Sequence, residues 1–353
     1  MRLCIINQIN DRTETALCVE LYKRGHDVTY IGNSKDPALV HLANEGLRTI
    51  KLDVVNRIDL RAIKFLRKFF RHNQFDAYYI PTAKILSVSF FAGIEKSPIF
   101  SYRGSLSRIS RFNPFDRFSY FNKKLTKVIC NSNAALQAMS KYGVPEDKLC
   151  LVYKGHSFDW YQSTKIIELN YFNIPKDKFI IGCVANFRHS KGGSFLVDVM
   201  NLLKNKIPFH LVLIGEIFDS MILKKIKKYN LQDYISTIGF RSDAIDWIKY
   251  FDLSIMPSLR KESFSRSIVE SMAQGIPVLV SEVGGMTELV QNEFNGFVFN
   301  ACDKVDCLNK ILKIFNSKDQ LDNIKSNAKS TIKNKFDLDS YISNMEKVFF
   351  QKL

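Results

Sequence analysis

The stretch of sequence that decides the fold runs from Asp252 to Leu289 and reads DLSIMPSLRKESFSRSIVESMAQGIPVLVSEVGGMTEL. It opens on an apolar, strand-like run that ends at Met256. After a loop it continues as a helical pattern that begins near Ser265 and ends at Gly275, a residue typical of helix C-termini. A second apolar run follows directly. Strand, loop, helix and strand in this order predict a βαβ unit of a parallel sheet, in which ligands bind at the carboxyl ends of the strands.

The same alternation extends along the whole chain and forms two series. The strands predicted for the first series are Arg2–Ile6, Asp27–Ile31, Asp76–Ile80, Pro98–Tyr102, Lys127–Asn131 and Leu149–Tyr153. Those predicted for the second series are Phe179–Ala185, Phe209–Ile214, Ile235–Ile238, Asp252–Met256, Pro277–Val280 and Gly296–Phe299. Helical patterns such as Glu14–Arg24 and Ala134–Lys141 lie between the strands. We therefore predict an α/β protein of two doubly wound, Rossmann-like domains with parallel sheets that face a central cleft.

The domain boundaries are predicted from the restart of the pattern. Residues 1–161 form the first domain, 162–178 a polar linker, and 179–335 the second domain. Residues 336–353 are predicted to form a C-terminal helix that packs back toward the first domain.

Composition and motifs exclude several classes of protein. Hydrophobic residues make up 46% and charged residues 24% of the chain, which is typical of a globular protein, and no apolar run approaches the length of a membrane span. The seven cysteines form no C-x-x-C pair and the histidines show no metal-binding spacing, so we expect a reducing cytoplasm and no metal. The N-terminus is interpreted as a first strand and not as a signal peptide. Neither G-x-G-x-x-G nor a P-loop is present, which disfavours a dehydrogenase or a P-loop kinase.

The formal charge of +16 is concentrated in one region. Residues 60–127 carry 14 Lys or Arg and 3 Asp or Glu. Within it, residues 60–71 place Ile63, Leu66, Phe69 and Phe70 at helical spacing between cations. Such a helix either lies at an anionic membrane surface or packs its apolar stripe into the core with a solvated basic face. A nucleic-acid interface is a third interpretation, but no nucleic-acid-binding signature accompanies the charge.

Two carboxylates flank the predicted helix N-terminus in the deciding stretch. Glu262 lies on the loop at the carboxyl end of a strand, where it could hold sugar hydroxyls. The backbone N–H groups around Phe264, Ser265 and Arg266 offer an anion site for a diphosphate. Glu270 is an acceptor-only group suited to the diol of a ribose. The arrangement predicts a nucleotide-sugar site.

This stretch resembles the retaining glycosyltransferases of the GT-B superfamily, family 4. The family hallmark has Pro-Ser before a glutamate, a phenylalanine between glycines, a second glutamate, Met-Ala-x-Gly-x-Pro-Val and Gly-Gly-x-x-Glu. The matching residues here are Pro257, Ser258, Glu262, Phe264, Glu270, Met272, Ala273, Gly275, Pro277, Val278, Gly284, Gly285 and Glu288. Ser263 and Ser265 stand where the family has glycine.

Three further segments resemble the same family. The run 182–193 looks like the segment whose arginine and lysine neutralise the donor diphosphate, which implies that role for Arg188 and Lys191. The loops 213–216 and 238–243 are similar to those that border the nucleotide base, which implies donor contacts for Gly215, Phe240 and Arg241.

The first domain departs from the family pattern. The loop of residues 7–12 carries no glycine where the family usually has some, and Arg103 follows a strand where the family often has a histidine. Arg103 is interpreted either as a support for negative charge near the reacting sugar or as a surface cation. His156 is either a cleft residue or a residue that packs at the hinge.

The resemblance implies a retaining, metal-independent glycosyltransferase whose second domain holds a nucleotide-diphosphate sugar and whose first domain holds the acceptor. Candidate catalytic residues are Arg188, Lys191, Glu262 and Arg103. No cofactor is expected besides the donor. The basic first domain favours a saccharide acceptor at an anionic membrane surface, such as a lipid-linked, lipopolysaccharide or capsule precursor, and a peripheral location on the inner face of the membrane. The alternatives are a soluble acceptor and a non-catalytic basic binding protein on the same scaffold.

Overall fold

The computed structural model describes residues 1–8, 11–94, 97–162 and 165–350. Positions 9 and 10 of the first predicted loop, 163 and 164 of the predicted linker, and 351–353 of the last segment lie outside the described residues. The chain divides into two compact units. Unit 1 comprises Met1–Gly155 together with the chain from Leu338 onward, and unit 2 comprises His156–Asp337.

Unit 1 is built on a parallel sheet of seven strands in the order β3-β2-β1-β4-β5-β6-β7. The strands are β1 Arg2–Ile6, β2 Asp27–Gly32, β3 Arg48–Lys51, β4 Ala77–Tyr79, β5 Ile99–Arg103, β6 Lys127–Cys130 and β7 Leu149–Leu151. The helices are α1 Arg12–Lys23, α2 Pro37–Asn44, α3 Leu60–His72, α4 Ala83–Phe91, α5 Pro114–Arg117 and α6 Asn133–Lys141. Consecutive residues of β1 are buried on both faces, because two hydrophobic clusters cover the two sides of the sheet.

Unit 2 is built on a parallel sheet of six strands in the order β10-β9-β8-β11-β12-β13. The strands are β8 Phe179–Val184, β9 Phe209–Ile214, β10 Ile235–Gly239, β11 Leu253–Met256, β12 Val278–Ser281 and β13 Phe297–Phe299. The helices are α7 Gly193–Leu203, α8 Met221–Lys228, α9 Ala244–Ile248, α10 Arg266–Gln274, α11 Met286–Leu289, α12 Lys304–Asn316 and α13 Lys318–Lys335. In both units the strand order reverses direction beside the first strand, which is the doubly wound arrangement predicted from the sequence.

Each predicted strand is present, with ends shifted by at most two residues. The edge strand β3 was not predicted. It consists of only four residues, of which Arg48 and Lys51 are exposed, and it pairs with β2 alone. An edge strand this short and polar lacks the apolar run by which the other strands are identified.

The described part of the predicted linker, residues 162 and 165–178, packs on unit 2. In its described part, Leu169 and Ile174 are buried against Trp247 and Phe251 of unit 2. A single 3₁₀ turn spans Leu169–Phe172. Apolar side chains spaced within a polar stretch anchor it to the sheet, and unit 2 therefore begins before residue 162.

The last helix, α14 Leu338–Phe350, belongs to unit 1. Its residues Tyr341, Ile342, Met345 and Phe349 are buried in the same cluster as β1. The ring of Phe349 lies 5.2 Å from that of Tyr79 and 5.3 Å from that of Phe100. The C-terminal helix thus completes one side of the core of unit 1.

Helix α3 is the basic-aromatic segment whose environment the sequence left open. Ala62, Ile63, Leu66 and Phe69 are buried in the core of unit 1. Its arginines and lysines are exposed. The apolar stripe therefore packs inside the protein, so an interfacial helix that inserts this stripe into lipid is not what the structure shows.

A buried carboxyl group of unit 1 lies beside two other charges. Glu14 of α1 is 5% exposed, its Oε1 accepts a hydrogen bond from the Tyr79 hydroxyl at 3.2 Å, and Lys154 Nζ lies 3.7 Å away. Lys154 also pairs with Asp11, which caps α1. Burial raises the pKa of Glu14 to about 7, although Lys154 opposes the rise.

Glu14→Gln is expected to flatten the pH dependence of the stability of unit 1. Because the pKa of Glu14 rises from 4.5 to about 7 on folding, the folded state holds the proton that the unfolded state has released, and stability is lost as the pH rises through this window. At 1.36 kcal/mol per pKa unit the loss is about 3 kcal/mol. Urea unfolding at pH 4.5 and pH 7 measures it, with Glu20→Gln on the same helix as the control. The prediction would be contradicted if the unfolding free energy changed equally between pH 4.5 and pH 7 in Glu14→Gln and in the wild type.

Candidate functional site

The deciding stretch folds as predicted. Strand β11 ends at Met256, a loop follows, and α10 begins after Ser265, whose backbone is extended as in a helix N-cap. The hydroxyl of Ser265 lies 3.2 Å from that of Ser267 and makes no cap hydrogen bond in the described chain. Gly275 ends the helix with φ of 75°, a conformation that favours glycine. The first backbone N–H groups of α10 thus lie at the carboxyl edge of the unit 2 sheet.

Lys191 and Glu262 form an ion pair at this edge. Lys191 Nζ lies 2.5 Å from Glu262 Oε2, and the Ser258 hydroxyl donates to the same oxygen at 2.9 Å. The side chain of Glu262 is 11% exposed and that of Lys191 is 29% exposed. A charge-assisted pair in a largely buried setting holds both side chains in defined positions. The sequence predicts separate roles for the two residues and gives no indication that Ser258 contributes.

Gly192 determines where Lys191 lies. It has φ of 72°, and a Cβ at this position would lie 1.9 Å from the carbonyl oxygen of Pro257. The backbone N–H of Leu259 donates to the carbonyl of Ser190 at 2.8 Å, which ties the same two loops together. The absence of a side chain at Gly192 therefore allows the backbone of the Lys191 turn to lie directly against the loop after β11.

Arg188 lies apart from this pair. Its side chain is exposed, and its guanidinium lies 5.8 Å from the centre of the Phe218 ring. A cation stacked on an exposed aromatic ring is held only weakly. Of the two cations that the resemblance assigns to a diphosphate, Lys191 is the one fixed beside Glu262.

Two other loops lie at the same carboxyl edge. Gly215 follows β9 with φ of 131°, and a Cβ there would lie 2.0 Å from the carbonyl oxygen of Ala185. After β10, Phe240 is exposed. Arg241 donates two hydrogen bonds to Asp243, at 2.8 and 2.7 Å, which lower the pKa of that carboxyl. Because parallel strands end at one edge, the loops after β9, β10 and β11 surround a common region of unit 2.

The remaining residues predicted in this stretch have different settings. Glu270 lies in the second turn of α10 and is half-buried, and Arg266 at the start of the helix is exposed. The Phe264 ring packs against Phe336 at 5.1 Å and against the His156 ring at 6.3 Å. His156 is buried and contacts the Tyr161 hydroxyl.

Arg103 lies in unit 1. It ends β5, donates to the carbonyl of Ser107, and its guanidinium lies 5.2 Å from the centre of the Tyr120 ring. These contacts brace the loop that follows the strand, a role that the residue type alone did not indicate.

Within the described residues, no group of three His, Cys, Asp or Glu side chains could hold a metal ion. The described helices include none that is both long enough and apolar enough to cross a membrane. All seven cysteines are free thiols.

The chain folds as two doubly wound units, each built on a parallel sheet, and candidate site residues lie in the loops at the carboxyl edge of the unit 2 sheet. This arrangement defines the GT-B class of fold. Each unit matches a family of glycosyltransferases. The family "Glycosyl transferases group 1" matches residues 166–331, and the family "Glycosyltransferase Family 4" matches residues 12–159.

Individual relatives are similar over part of the chain. The lipopolysaccharide core biosynthesis mannosyltransferase LpsB of Rhizobium meliloti is 32% identical over 155 residues, which are 41% of this chain and 42% of the relative. A UDP-Gal:alpha-D-GlcNAc-diphosphoundecaprenol alpha-1,3-galactosyltransferase of Escherichia coli is 26% identical over 50% of this chain and 46% of its own length. The chain thus matches less than half the length of these relatives.

A solved structure is similar over the whole chain. HepE of Anabaena in complex with UDP and glucose has a TM-score of 0.82 at 20% identity, and the match covers 100% of both chains. At this identity the similarity establishes the fold.

Proposed function

We propose that the protein is a retaining glycosyltransferase that moves a sugar from a nucleotide-diphosphate donor to a saccharide acceptor of lipopolysaccharide, O-antigen or capsule biosynthesis. The observation that carries the proposal is the Lys191–Glu262 pair beside the N-terminus of α10. The family matches and relatives named for lipopolysaccharide and lipid-linked acceptors support it.

In the proposed reaction, unit 2 binds the donor. The diphosphate takes the place of Glu262 as the partner of Lys191, and backbone N–H groups of α10 bind its oxygens. Glu262 then accepts hydrogen bonds from sugar hydroxyls while Ser258 continues to hold Oε2. Glu270 binds the ribose diol, and the loops with Gly215, Phe240 and Arg241 border the base.

The chemical step exchanges one bond for another at the anomeric carbon. The bond between that carbon and the diphosphate oxygen breaks, the acceptor oxygen bonds to the carbon on the same face, and the acceptor proton passes to the departing phosphate. Lys191 stabilises the charge that grows on the diphosphate. The step needs no protein base, and we propose that it needs no metal ion.

The acceptor is proposed to bind unit 1 and to be associated with the inner face of a membrane. The excess of 14 basic over 3 acidic residues in residues 60–127 supports an anionic surface as partner. A panel of nucleotide sugars, tested for transfer to soluble and to lipid-linked saccharides, separates this function from the soluble-acceptor alternative. Product anomers assigned by NMR test retention, and undiminished turnover in EDTA tests metal independence. If no nucleotide sugar binds, the remaining interpretation is a non-catalytic basic protein.

Glu270→Gln is expected to weaken binding of nucleoside diphosphates by about tenfold or more. The substitution keeps the shape of the side chain but removes charge-assisted hydrogen bonds worth about 1.5–3 kcal/mol to the ribose. Calorimetric titration with UDP and GDP measures the loss, and Glu293→Gln, at an exposed glutamate of the same unit that pairs with Lys313, serves as the control. An unchanged affinity for every nucleotide tested removes Glu270 from the site.

A further inference from the structure

Unit 1 contains a pocket whose residues have no role in the proposed function described above. Its volume is about 570 Å³, within the range typical of small-molecule sites. The side chains that line it are Asn56, Arg57, Ile58, Lys84, Asn113 and Phe115. They come from the chain after β3, from the first turn of α4 after β4, and from the segment after β5. The pocket therefore lies at the carboxyl edge of the unit 1 sheet, where ligands of such sheets bind.

The charge of the pocket lining is positive. Among the residues that the structure describes, the lining contains two cations and no carboxylate. Lys84 Nζ donates a hydrogen bond to the carbonyl of Val54 at 2.6 Å, and an ammonium group has three hydrogens to donate. The first turn of α4 carries no acidic residue. Asp116, which lies beside Arg57, has one oxygen held by the backbone N–H of Ser110 at 3.1 Å.

Arg57 is oriented but incompletely paired. Its guanidinium lies 5.4 Å from the centre of the Phe115 ring, and Nη1 is 3.7 Å from Asp116 Oδ1, beyond hydrogen-bond distance. Nη1 is buried and has no hydrogen-bond acceptor among the residues that the structure describes. A buried donor without an acceptor is unfavourable, and the N–H groups of a guanidinium are suited to the oxygens of a phosphate. Arg57 and Lys84 together fit a phosphate group.

The pocket also has an apolar side. Ile58 and Phe115 form part of its lining. The two segments that supply these residues expose several large apolar side chains: Val55, Ile58, Leu60, Phe112, Phe115 and Phe118. Phe112 is 97% exposed. Single exposed apolar residues are common, but six within residues 55–60 and 112–118 indicate a surface that meets an apolar partner.

We propose that this pocket binds the phosphate of an amphiphilic acceptor, with Arg57 and Lys84 on the phosphate oxygens and the apolar side chains of residues 55–60 and 112–118 against its lipid chain. The acceptor class is thus a saccharide joined through phosphate to an apolar chain. This inference rests on the proposed function, because it places the acceptor in unit 1.

Binding of decyl phosphate, below its critical micelle concentration, tests the pocket directly. Calorimetry compares it with inorganic phosphate and with uncharged decyl maltoside. We expect decyl phosphate to bind at least tenfold more tightly than either. We also expect the double variant Arg57→Gln/Lys84→Gln to lose at least tenfold in affinity for decyl phosphate.

A matched control distinguishes the effect of the two pocket cations from the effect of lowering the net charge of unit 1. Arg61→Gln/Lys64→Gln removes two exposed cations of α3 and should leave the affinity unchanged. Equal losses in both double variants overturn the pocket assignment, and so does decyl maltoside or inorganic phosphate binding as tightly as decyl phosphate. Lys84→Gln alone, with a thermal melt, repeats the test if the double variant is unstable.

Titration with UDP and GDP distinguishes failure of this inference from failure of the proposed function. A variant of unit 1 should keep its affinity for these nucleotides, because the proposed donor site lies in unit 2. Nucleotide binding without selective binding of decyl phosphate overturns this inference alone. Absence of nucleotide binding in the wild type overturns the proposed function.

Discussion

Lys191→Ala is expected to lower kcat/KM by about 10²–10³ while leaving the protein folded. The ammonium group meets charge that grows on the departing diphosphate, and one preorganised charge of this kind is worth about 3–4 kcal/mol in the transition state. In the structure the same group pairs with Glu262 at 2.5 Å. The loss should therefore appear mainly in turnover, measured as release of nucleoside diphosphate under steady-state conditions.

The matched control for this experiment is Lys225→Ala. Lys225 forms a comparable, largely buried ion pair in unit 2, with Nζ 2.8 Å from Asp198 Oδ2, and it lies on α8. Both variants should lose a similar amount of stability, but only Lys191→Ala should lose turnover. A Lys191→Ala enzyme with normal kcat/KM would remove the diphosphate from the Lys191 site. Lys191→Arg, which keeps the charge, should recover part of the activity.

The elements around this site could be predicted because they depend on local sequence. The end of α10 follows from Gly275, the strand Phe209–Ile214 follows from its apolar run, and the loop with Glu262 follows from its position between a strand and a helix. Each prediction uses residues that are neighbours in the chain. The resemblance to a known family added roles for residues in this same stretch.

The ion pair itself could not be predicted from spacing. Residues 191 and 262 are 71 positions apart, and their contact depends on the close approach of two loops at Gly192. A glycine beside a lysine is equally compatible with a phosphate-binding loop. The structure shows why residue 192 is a glycine: a Cβ at this position would clash with the carbonyl oxygen of Pro257.

The pocket of unit 1 was also beyond sequence analysis. Its cations, Arg57 and Lys84, lie in separate segments, and neither belongs to a motif. The charge count located the basic region at 60–127 but not the arrangement of its side chains. Arg103 shows the same limit, because its contacts with Ser107 and the Tyr120 ring depend on a loop whose course the sequence does not specify.

Helix α3 illustrates a different limit. A helix that lies on a membrane and a helix that covers a sheet both need one apolar stripe and one polar face. Their periodicities are therefore the same, and only the neighbours of the stripe distinguish them. Here those neighbours are side chains of the unit 1 core, among them Phe75 and Tyr78.

Phe69→Ala is accordingly expected to destabilise unit 1 by about 3–5 kcal/mol, the usual cost of truncating a buried phenylalanine. Phe69 is 8% exposed, and its ring lies 5.8 Å from that of Phe75 and 5.9 Å from that of Phe70. Urea unfolding measures the loss. Phe65→Ala is the matched control, because Phe65 lies one turn earlier on the same helix and is 39% exposed, so its truncation should cost much less.

Vesicle sedimentation completes the test, because it shows whether the apolar stripe or the charged face of α3 contributes to membrane binding. Lys64→Gln/Lys68→Gln removes exposed cations and should leave the unfolding free energy nearly unchanged, since surface charges contribute little to stability. If the basic face meets an anionic membrane, each cation adds about 1 kcal/mol to binding at low salt, and this double variant should sediment less with anionic vesicles. Phe69→Ala, measured where it remains folded, should sediment like the wild type, because its side chain lies in the core. A Phe69→Ala protein of normal stability that no longer binds vesicles would contradict the core position of this residue and return α3 to the membrane surface.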